Sequence, residues 1–302
     1  MKELRLRHHA ELTPPAEGTV PVTAAAGPGG ELLVMWTSRG DADVLHGRTA
    51  GPVSMRIAAY TPHLTATVPV DGWSLAFPHL QPMPDGGVLL VAARCRRRDG
   101  VAERNAAIYD ADGRRLRRGV LGDGIADVQT TSEGDVWVGY FDEGVYGNHG
   151  WGEPDGPEPV GSAGLVRFTA ELDVAWRYPY DGDLGAISDC YALNVTGPDA
   201  WAYYYTDFPV VRVRDGVITG WPTQVGGARA LVVADRRIAL VGGYGNDRDR
   251  VVILDRPGFT ARHPARLAMP GGRRVPRTAT ILGRGDELHV VVGTDWFKWS
   301  AT

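Results

Sequence analysis

Cysteine is scarce in this chain, which has only Cys95 and Cys190 among its 302 residues. A disulfide scaffold or a structural zinc cluster needs more thiols at closer spacing, so the sequence argues against both. Long apolar runs are missing too, since no stretch approaches the roughly 20 residues that span a bilayer. The N-terminal segment also lacks the apolar centre of a signal peptide. We therefore expect a cytoplasmic protein without a membrane partner.

Neither sign of charge dominates, because 32 Lys and Arg residues stand against 36 Asp and Glu residues, for a net charge of -4. A nucleic-acid-binding protein usually shows a concentrated basic surface, so we expect no nucleic-acid partner. The apolar share of 43% and the charged share of 23% are typical of a globular protein with an ample core. The 40 glycines and 21 prolines indicate many short strands joined by tight turns.

One pattern recurs six times: a short strand, a polar turn, and then a dense apolar strand. The copies have equal length and are Val22–Trp36, Pro78–Ala92, Ala126–Tyr140, Cys190–Tyr204, Ala228–Gly242 and Thr278–Val292. The dense strands are predicted to begin 38 to 64 residues apart, at Leu32, Val88, Val136, Ala200, Ile238 and Leu288. The distance from the last of these positions, around through the chain ends, to the first is 46 residues. Such spacing is what a closed ring of repeats predicts.

A second hairpin follows five of the dense strands, so a repeat supplies four strands, as a propeller blade does. The sixth repeat stops after Trp296–Trp299, and leucines alternate with charged residues over Lys2–Leu12, which we predict to be its outer strand. The sequence therefore predicts an all-β fold, a six-bladed β-propeller whose last blade is closed by the N-terminal strand. We expect residues 1–302 to form a single domain. A two-sheet sandwich is the alternative, but it does not account for six similar units.

The blade pattern, seen for example in Ala107–Arg114, resembles the six-bladed propellers of the gluconolactonase, strictosidine-synthase and NHL type. The segments Phe141–Gly152 (FDEGVYGNHGWG) and Ser188–Asn194 (SDCYALN) are similar to those of bacterial propeller proteins without an assigned activity. The resemblance covers the whole chain at the level of the fold, and a fold does not determine a function. It implies a metal at one mouth of the central channel.

Functional side chains are expected at that mouth, because the first strand of each blade begins, and its second strand ends, at the same face. The predicted catalytic residues are Asp127, Asp142, Glu143, Asp189, His79 and His149. The predicted substrate-binding residues are Arg94, Arg229, Tyr191, Tyr146 and Trp151.

The four carboxylates among these residues have three interpretations. Three of them, with the Asn194 amide oxygen, could hold Ca²⁺ or Mg²⁺, the predicted ligands being Asp127, Asp142, Glu143 and Asn194. One carboxyl could instead be kept protonated by its neighbours and act as an acid while another acts as a base. In the third interpretation they pair with Arg94 and Arg229, or cap turns, and are structural.

The segment Gly144–Ala163 has 20 residues and no strand pattern. Loops of this length are uncommon unless they are functional or disordered. Tyr146, His149 and Trp151 are suited to gripping a small ligand, so we predict a lid over the mouth. An insertion restrained only by its prolines is the alternative.

Two functional hypotheses follow. The first is an enzyme that acts on a small polar or aromatic metabolite by hydrolase, lyase or cyclase chemistry, with or without a divalent cation. The second is a non-catalytic propeller that binds a small ligand or another protein. An enzyme concentrates titratable groups in a pocket, whereas a binding platform presents a broad aromatic and charged rim. The sequence carries no signal for an oligomeric state.

Overall fold

The computed structural model describes residues 1–152, 154, 156–180 and 182–302 of the chain. The chain divides into two compact units. The terminal unit consists of Met1–Leu12 and Tyr191–Thr302, and the central unit of Thr13–Cys190. The expected organisation as one domain stays a prediction.

The chain begins with two short strands that belong to the terminal unit, β1 (Lys2–Arg5) and β2 (Arg7–Glu11). The central unit follows with three antiparallel sheets of four strands. The first blade consists of β3 (Thr19–Ala26), β4 (Leu32–Ser38), β5 (Val53–Tyr60) and β6 (Leu64–Trp73).

The second blade of the central unit carries an inserted two-stranded hairpin. Its elements are β7 (Pro78–Pro82), β8 (Val88–Ala92), the hairpin β9 (Arg97–Arg98) and β10 (Val101–Ala102), β11 (Ala106–Tyr109) and β12 (Arg115–Gly119). The third blade consists of β13 (Ile125–Thr130), β14 (Val136–Tyr140), β15 (Leu165–Phe168) and β16 (Val174–Arg177).

The terminal unit contributes the remaining three blades. The fourth consists of β17 (Asp189–Thr196), β18 (Asp199–Tyr205), β19 (Val210–Arg214) and β20 (Val217–Trp221). The fifth consists of β21 (Ala230–Val233), β22 (Arg237–Val241), β23 (Arg250–Asp255), β24 (Thr260–Ala261) and β25 (Ala265–Ala268). The sixth is built from β26 (Thr280–Arg284), β27 (Glu287–Val292) and β28 (Asp295–Ser300).

The six sheets are the blades of an all-β, six-bladed β-propeller, as the sequence predicts. The second strand of every blade begins within one residue of its predicted first position. In β8 and β14 every residue is buried, which is why these strands show no alternation of apolar and polar residues.

Each unit has its own apolar core. In the central unit the core includes Met35, Leu90 and Tyr109, contributed by the second and third strands of the first two blades. In the terminal unit one cluster joins Val232 and Val290. Sheet faces packed in this way are held mainly by the removal of apolar surface from water.

The N-terminal segment closes the sixth blade, but over a shorter range than predicted. Strand β2 pairs antiparallel with β28, with Arg7 opposite Lys298 and Glu11 opposite Asp295. Strand β1 instead pairs in parallel with β25 of the fifth blade. The prediction of one outer strand over Lys2–Leu12 is therefore confirmed for Arg7–Glu11 and corrected for Lys2–Arg5.

Leu6, at the switch between the two sheets, explains the correction. Its side chain is 2% exposed and packs in the terminal-unit core, and its amide donates to the Ala268 carbonyl at 2.8 Å. Alternation of leucine with charged residues indicates a half-buried strand, but it does not tell which of two neighbouring sheets the strand joins.

Two short helices were not predicted. Helix α1 (Arg39–Leu45) follows β4, and the Ser38 side chain caps it by accepting a hydrogen bond from the Asp41 amide at 3.1 Å. Helix α2 (Asp142–Tyr146) follows β14. Helices of seven and five residues are too short to show a helical period in the sequence. Among the described residues, none of the helices has the length and apolar character needed to span a membrane.

Shortening Leu6 tests the closure by the N-terminal segment. We expect Leu6→Ala to lower the free energy of unfolding by about 2–5 kcal/mol, because it leaves a cavity in the core. Leu116→Ala is the control, since Leu116 is 55% exposed, and we expect a change of less than about 0.5 kcal/mol there. Urea unfolding followed by circular dichroism measures both, and equal effects would contradict the closure.

Candidate functional site

Functional side chains collect at one end of each sheet, where the first strand begins and the second strand ends. We call it the leading end. In the fifth blade, for example, Ala230 at the start of β21 lies opposite Val241 at the end of β22. Loops before the first strand and after the second strand therefore emerge together. Each unit carries one group of charged and aromatic residues at this end of its sheets.

In the central unit this group is built around Arg94, which follows β8. Its guanidinium forms two hydrogen bonds with the Asp123 carboxylate, at 3.0 and 2.9 Å. The Asp123 side chain is 1% exposed and also accepts a hydrogen bond from the Cys95 amide at 2.7 Å. A buried carboxylate that is paired and hydrogen-bonded in this way is a structural ion pair.

Glu143 completes the same network. Its Oε2 lies 2.5 Å from Nη1 of Arg94, whose guanidinium carbon is 5.6 Å from the centre of the Phe141 ring. Hydrogen bonds from Asn148 and from Arg94 lower the pKa of Glu143. The carboxyl is therefore ionised at neutral pH and already has a cationic partner, which does not suit the predicted role of proton donor.

The segment after β14 is tied down at several points. Asp142, exposed in helix α2, accepts a hydrogen bond from the Glu143 amide at 2.8 Å. The Tyr146 hydroxyl lies 2.7 Å from the Ser188 hydroxyl, and the Trp151 indole donates to the Cys95 carbonyl at 2.8 Å. Two predicted ligand-gripping side chains thus serve as anchors of this segment.

Backbone contacts fasten the same segment. The Arg97 amide donates to the His149 carbonyl at 2.8 Å, and His149 itself has a left-handed backbone with φ of 51°. A Cβ on Gly124 would come within 2.2 Å of the Gly144 amide nitrogen, so only glycine allows this close approach. Glu153 and Asp155 of the predicted lid lie outside the described residues. The lid itself stays a prediction.

His79 lies near the start of β7 and is half-buried. Burial lowers its pKa to about 4, partly offset by a hydrogen bond to the backbone of Ile125 in the next blade. The imidazole is therefore neutral at pH 7.

Asp127 in β13 and Asp189 at the start of β17 are half-buried as well, and both have interaction partners.

Two of the predicted metal ligands, Glu143 and Asn194, already have partners within the protein. Within the described part of the chain, no group of three or more His, Cys, Asp or Glu side chains is placed to hold a metal. The Glu143 carboxylate forms an ion pair with Arg94. Asn194 is fully buried; its amide nitrogen donates to the Leu231 and Gly285 carbonyls, and its oxygen accepts from the Gly285 amide. These contacts compete with Ca²⁺ or Mg²⁺ for both side chains, and the metal itself stays a prediction.

In the terminal unit the leading ends of the fifth and sixth blades enclose a cavity of about 250 Å³. Three arginines line it: Arg229 before β21, Arg248 before β23 and Arg277 before β26. The rest of the wall is apolar side chain or glycine backbone, contributed by Ala230, Val241, Gly242, Gly243, Val275, Pro276, Ala279 and Ile281. We call this cavity the arginine pocket.

The three arginines form no ion pair within the described part of the chain. Among the described residues, no carboxylate oxygen lies within 4.0 Å of their side-chain nitrogens. Arg248 donates to the Val275 carbonyl at 2.8 Å. By contrast, Arg274 and Arg266 of the same unit both lie against the buried carboxylate of Asp249, at 2.7 and 3.8 Å. The arginine pocket is therefore a positive site without a carboxylate partner among the described residues, in which Arg229 and Arg277 are exposed to solvent.

An aromatic cluster adjoins the arginine pocket. The guanidinium carbon of Arg229 lies 4.1 Å from the centre of the Tyr191 ring, a cation–π contact. The Tyr191 hydroxyl lies 3.0 Å from the Tyr244 hydroxyl, and the Tyr191 ring is 5.6 Å from the Phe208 ring. Tyr191 and Arg229, predicted as substrate-binding residues from separate loops, are thus in direct contact.

A larger cavity, of about 500 Å³, lies at the opposite end of the terminal-unit sheets. Turn residues of both charge signs line it, including Asp235, Arg236, Arg237 and Asp286. Because these charges offset one another, we do not regard it as the functional site, although it is larger.

Sequence reasoning missed Asp123, Arg248 and Arg277. Asp123 lies in the Gly122–Gly124 turn just before β13, and Arg277 lies three residues before β26 begins at Thr280. Counting the charged residues in the loop before the first strand of each blade would have drawn attention to Asp123 and Arg277. Nothing in the sequence distinguishes Arg248 from its arginine and aspartate neighbours.

Comparisons with known proteins bear mainly on the fold. A model of the YxzG family matches residues 179–223, which is 45 of the 302 residues. No curated protein matches the chain.

Similar solved structures include a chain of a nidogen/laminin complex, with 10% identity, a TM-score of 0.47, and coverage of 82% of this chain and 81% of that one. A luciferin-regenerating enzyme has 12% identity, a TM-score of 0.49, and coverage of 93% and 91%. AztD from Citrobacter koseri has 10% identity, a TM-score of 0.44, and coverage of 95% and 65%. These similarities give no information about a ligand or a reaction of this protein.

Removing the charge of Asp123 tests the structural role of the Arg94 network. We expect Asp123→Asn to lower the free energy of unfolding by about 3 kcal/mol, because it breaks a buried ion pair. Asp43→Asn is the control, since Asp43 pairs with Arg48 at the surface, and a surface pair contributes at most about 1 kcal/mol. Chemical unfolding at pH 7 measures both, and a loss no larger than the control's would refute the role.

His79 predicts a dependence of stability on pH. Its pKa of about 4 in the folded protein lies below the 6.5 of a free imidazole. As the pH falls, His79 is therefore protonated in the unfolded chain at a higher pH than in the folded protein. The folded state loses stability as the pH falls from 6.5 to 4. We expect His79→Gln, whose amide can still donate a hydrogen bond, to lose less stability over this range. Urea unfolding at pH 7.5 and 4.5 measures the difference, and parallel losses would disprove the assignment.

Proposed function

We propose that the protein binds a small anionic ligand in the arginine pocket of the terminal unit. The supporting observation is the convergence of Arg229, Arg248 and Arg277 on one cavity without a described carboxylate partner. Like charges that face one cavity repel one another, and an anion between them relieves the repulsion. Guanidinium groups also match the geometry of carboxylate and phosphate oxygens.

The size of the cavity limits the ligand. Pockets for drug-sized molecules commonly measure about 300–1,000 Å³, and the arginine pocket measures about 250 Å³. The apolar side chains of Val241, Ala279 and Ile281 can cover a short hydrocarbon part. A metabolite with one or two anionic groups and a small carbon skeleton fits this combination.

The pocket favours binding over acid–base catalysis. Its lining residues include no Asp, Glu, His, Cys or Lys among those described. The predicted acids and bases Asp127, Asp142, Glu143, His79 and His149 all belong to the central unit, and Glu143 there is held ionised by Asn148 and Arg94. Catalysis by these residues stays a prediction, whereas the geometry supports a ligand-binding propeller best.

Replacing one pocket arginine tests the proposal. We expect Arg277→Gln to weaken the binding of succinate or inorganic phosphate at least about tenfold, because a hydrogen bond to a charged group contributes about 1.5–3 kcal/mol. Isothermal titration calorimetry at low and high salt measures the affinity, which should fall with ionic strength.

Arg273→Gln is the matched control, because Arg273 is exposed, belongs to the same unit and does not line the pocket. The affinity of the Arg273→Gln variant for succinate or phosphate should stay within about twofold of the wild-type value. Absence of saturable binding of succinate, phosphate and a small monocarboxylate such as benzoate to the wild-type protein, or equal weakening in the two variants, would overturn the proposal.

A further inference from the structure

Tyr244 is exposed, yet both its ring and its hydroxyl contact the protein. Its ring lies against glycine backbone, because a Cβ on Gly227 would come within 2.7 Å of the ring carbons. Gly227 has φ of 75°, a conformation that glycine accepts readily. The Tyr244 hydroxyl is fixed by the Tyr191 hydroxyl at 3.0 Å, while 56% of the residue stays accessible to solvent.

This ring is placed beside the arginine pocket. Gly242 and Gly243, the two residues before Tyr244, form part of the pocket wall. Tyr191, which holds the Tyr244 hydroxyl, stacks under the guanidinium of Arg229, another lining residue. The aromatic surface and the positive charge therefore share a boundary.

The contact with Tyr191 also orients Arg229. The N–H donors of a guanidinium lie in the plane of that group. When the guanidinium stacks on an aromatic ring, its donors therefore point outward from the edge of the guanidinium and stay available. No carboxylate among the described residues takes these donors within 4.0 Å. A ligand carboxylate can accept from this edge, and a planar group attached to it can lie against the exposed ring of Tyr244.

We propose that the ligand of the arginine pocket is an aromatic carboxylate, with its ring stacked on Tyr244 and its carboxylate bound by Arg229. This inference rests on the proposed function and names its ligand class. A fixed aromatic ring favours a flat partner, because stacked rings gain attraction beyond the burial of their area. A saturated ring of the same size cannot lie flat, so it obtains only the general apolar contribution.

The experiment compares benzoate with cyclohexanecarboxylate, which differ in planarity but have the same charge and nearly the same size. The ratio of their dissociation constants is the measured quantity. For the wild-type protein we expect benzoate to bind about threefold to tenfold more tightly. Calorimetry, or competition against bound benzoate, gives both constants.

Two substitutions locate the preference. We expect Tyr244→Leu to bring the ratio to about one, and Tyr244→Phe, which keeps the ring, to retain it. Tyr205→Leu is the matched control, because Tyr205 is 45% exposed and contacts Phe208 in the same unit. In Tyr205→Leu the ratio of the two dissociation constants should equal that of the wild-type protein. Thermal unfolding verifies that each variant is folded.

The outcomes separate this inference from the proposed function. Equal affinities for the two acids in the wild-type protein, or a preference that survives in Tyr244→Leu, would overturn the aromatic assignment, while succinate binding could still stand. Failure of the wild-type protein to bind succinate, phosphate and benzoate would overturn both proposals together.

Discussion

The sixth blade depends on the backbone pairing of Arg7–Glu11 with Asp295–Ser300. Without it, β28 would present a row of unpaired amide and carbonyl groups, an edge that invites association with other chains. Leu6 and Leu12 flank the pairing strand and are buried, so the hydrogen bonds are supported by apolar contacts at both ends. The terminal unit thus joins its first 12 residues to its last 112 residues.

Arginine has two roles in this protein, and the partners of each residue decide between them. Arg94 forms ion pairs with Asp123 and Glu143, and Arg274 forms one with Asp249, so these side chains connect loops and stabilise the leading ends of the sheets. Arg229 and Arg277 line a cavity and have no described carboxylate within 4.0 Å. The same residue type is structural in the first setting, where its charge is taken by a carboxylate, and available to a ligand in the second, where Arg229 and Arg277 are exposed to solvent.

The site could be predicted only in part. Tyr191 and Arg229 were identified because each lies at the start of a first strand, and the structure brings them to 4.1 Å. The expected acidic cluster was a weaker prediction, because strand order places loops at one end but does not fix side-chain directions. Asp123 was overlooked, and it is this buried carboxylate that forms two hydrogen bonds with Arg94. Pairing of this kind depends on distances of a few ångströms, which the spacing of residues along the chain does not contain.

The sequence by itself determined the number of blades, the start of each second strand and the use of the N-terminal segment in the last blade. These features follow from burial, since strands covered on both faces must be apolar and must recur at the spacing of the blades. Only the tertiary structure decided that Lys2–Arg5 joins the fifth blade, that Arg94 is neutralised, and that three arginines surround one cavity. Charges interact through space and over short distances, so their balance appears only when the loops are in place.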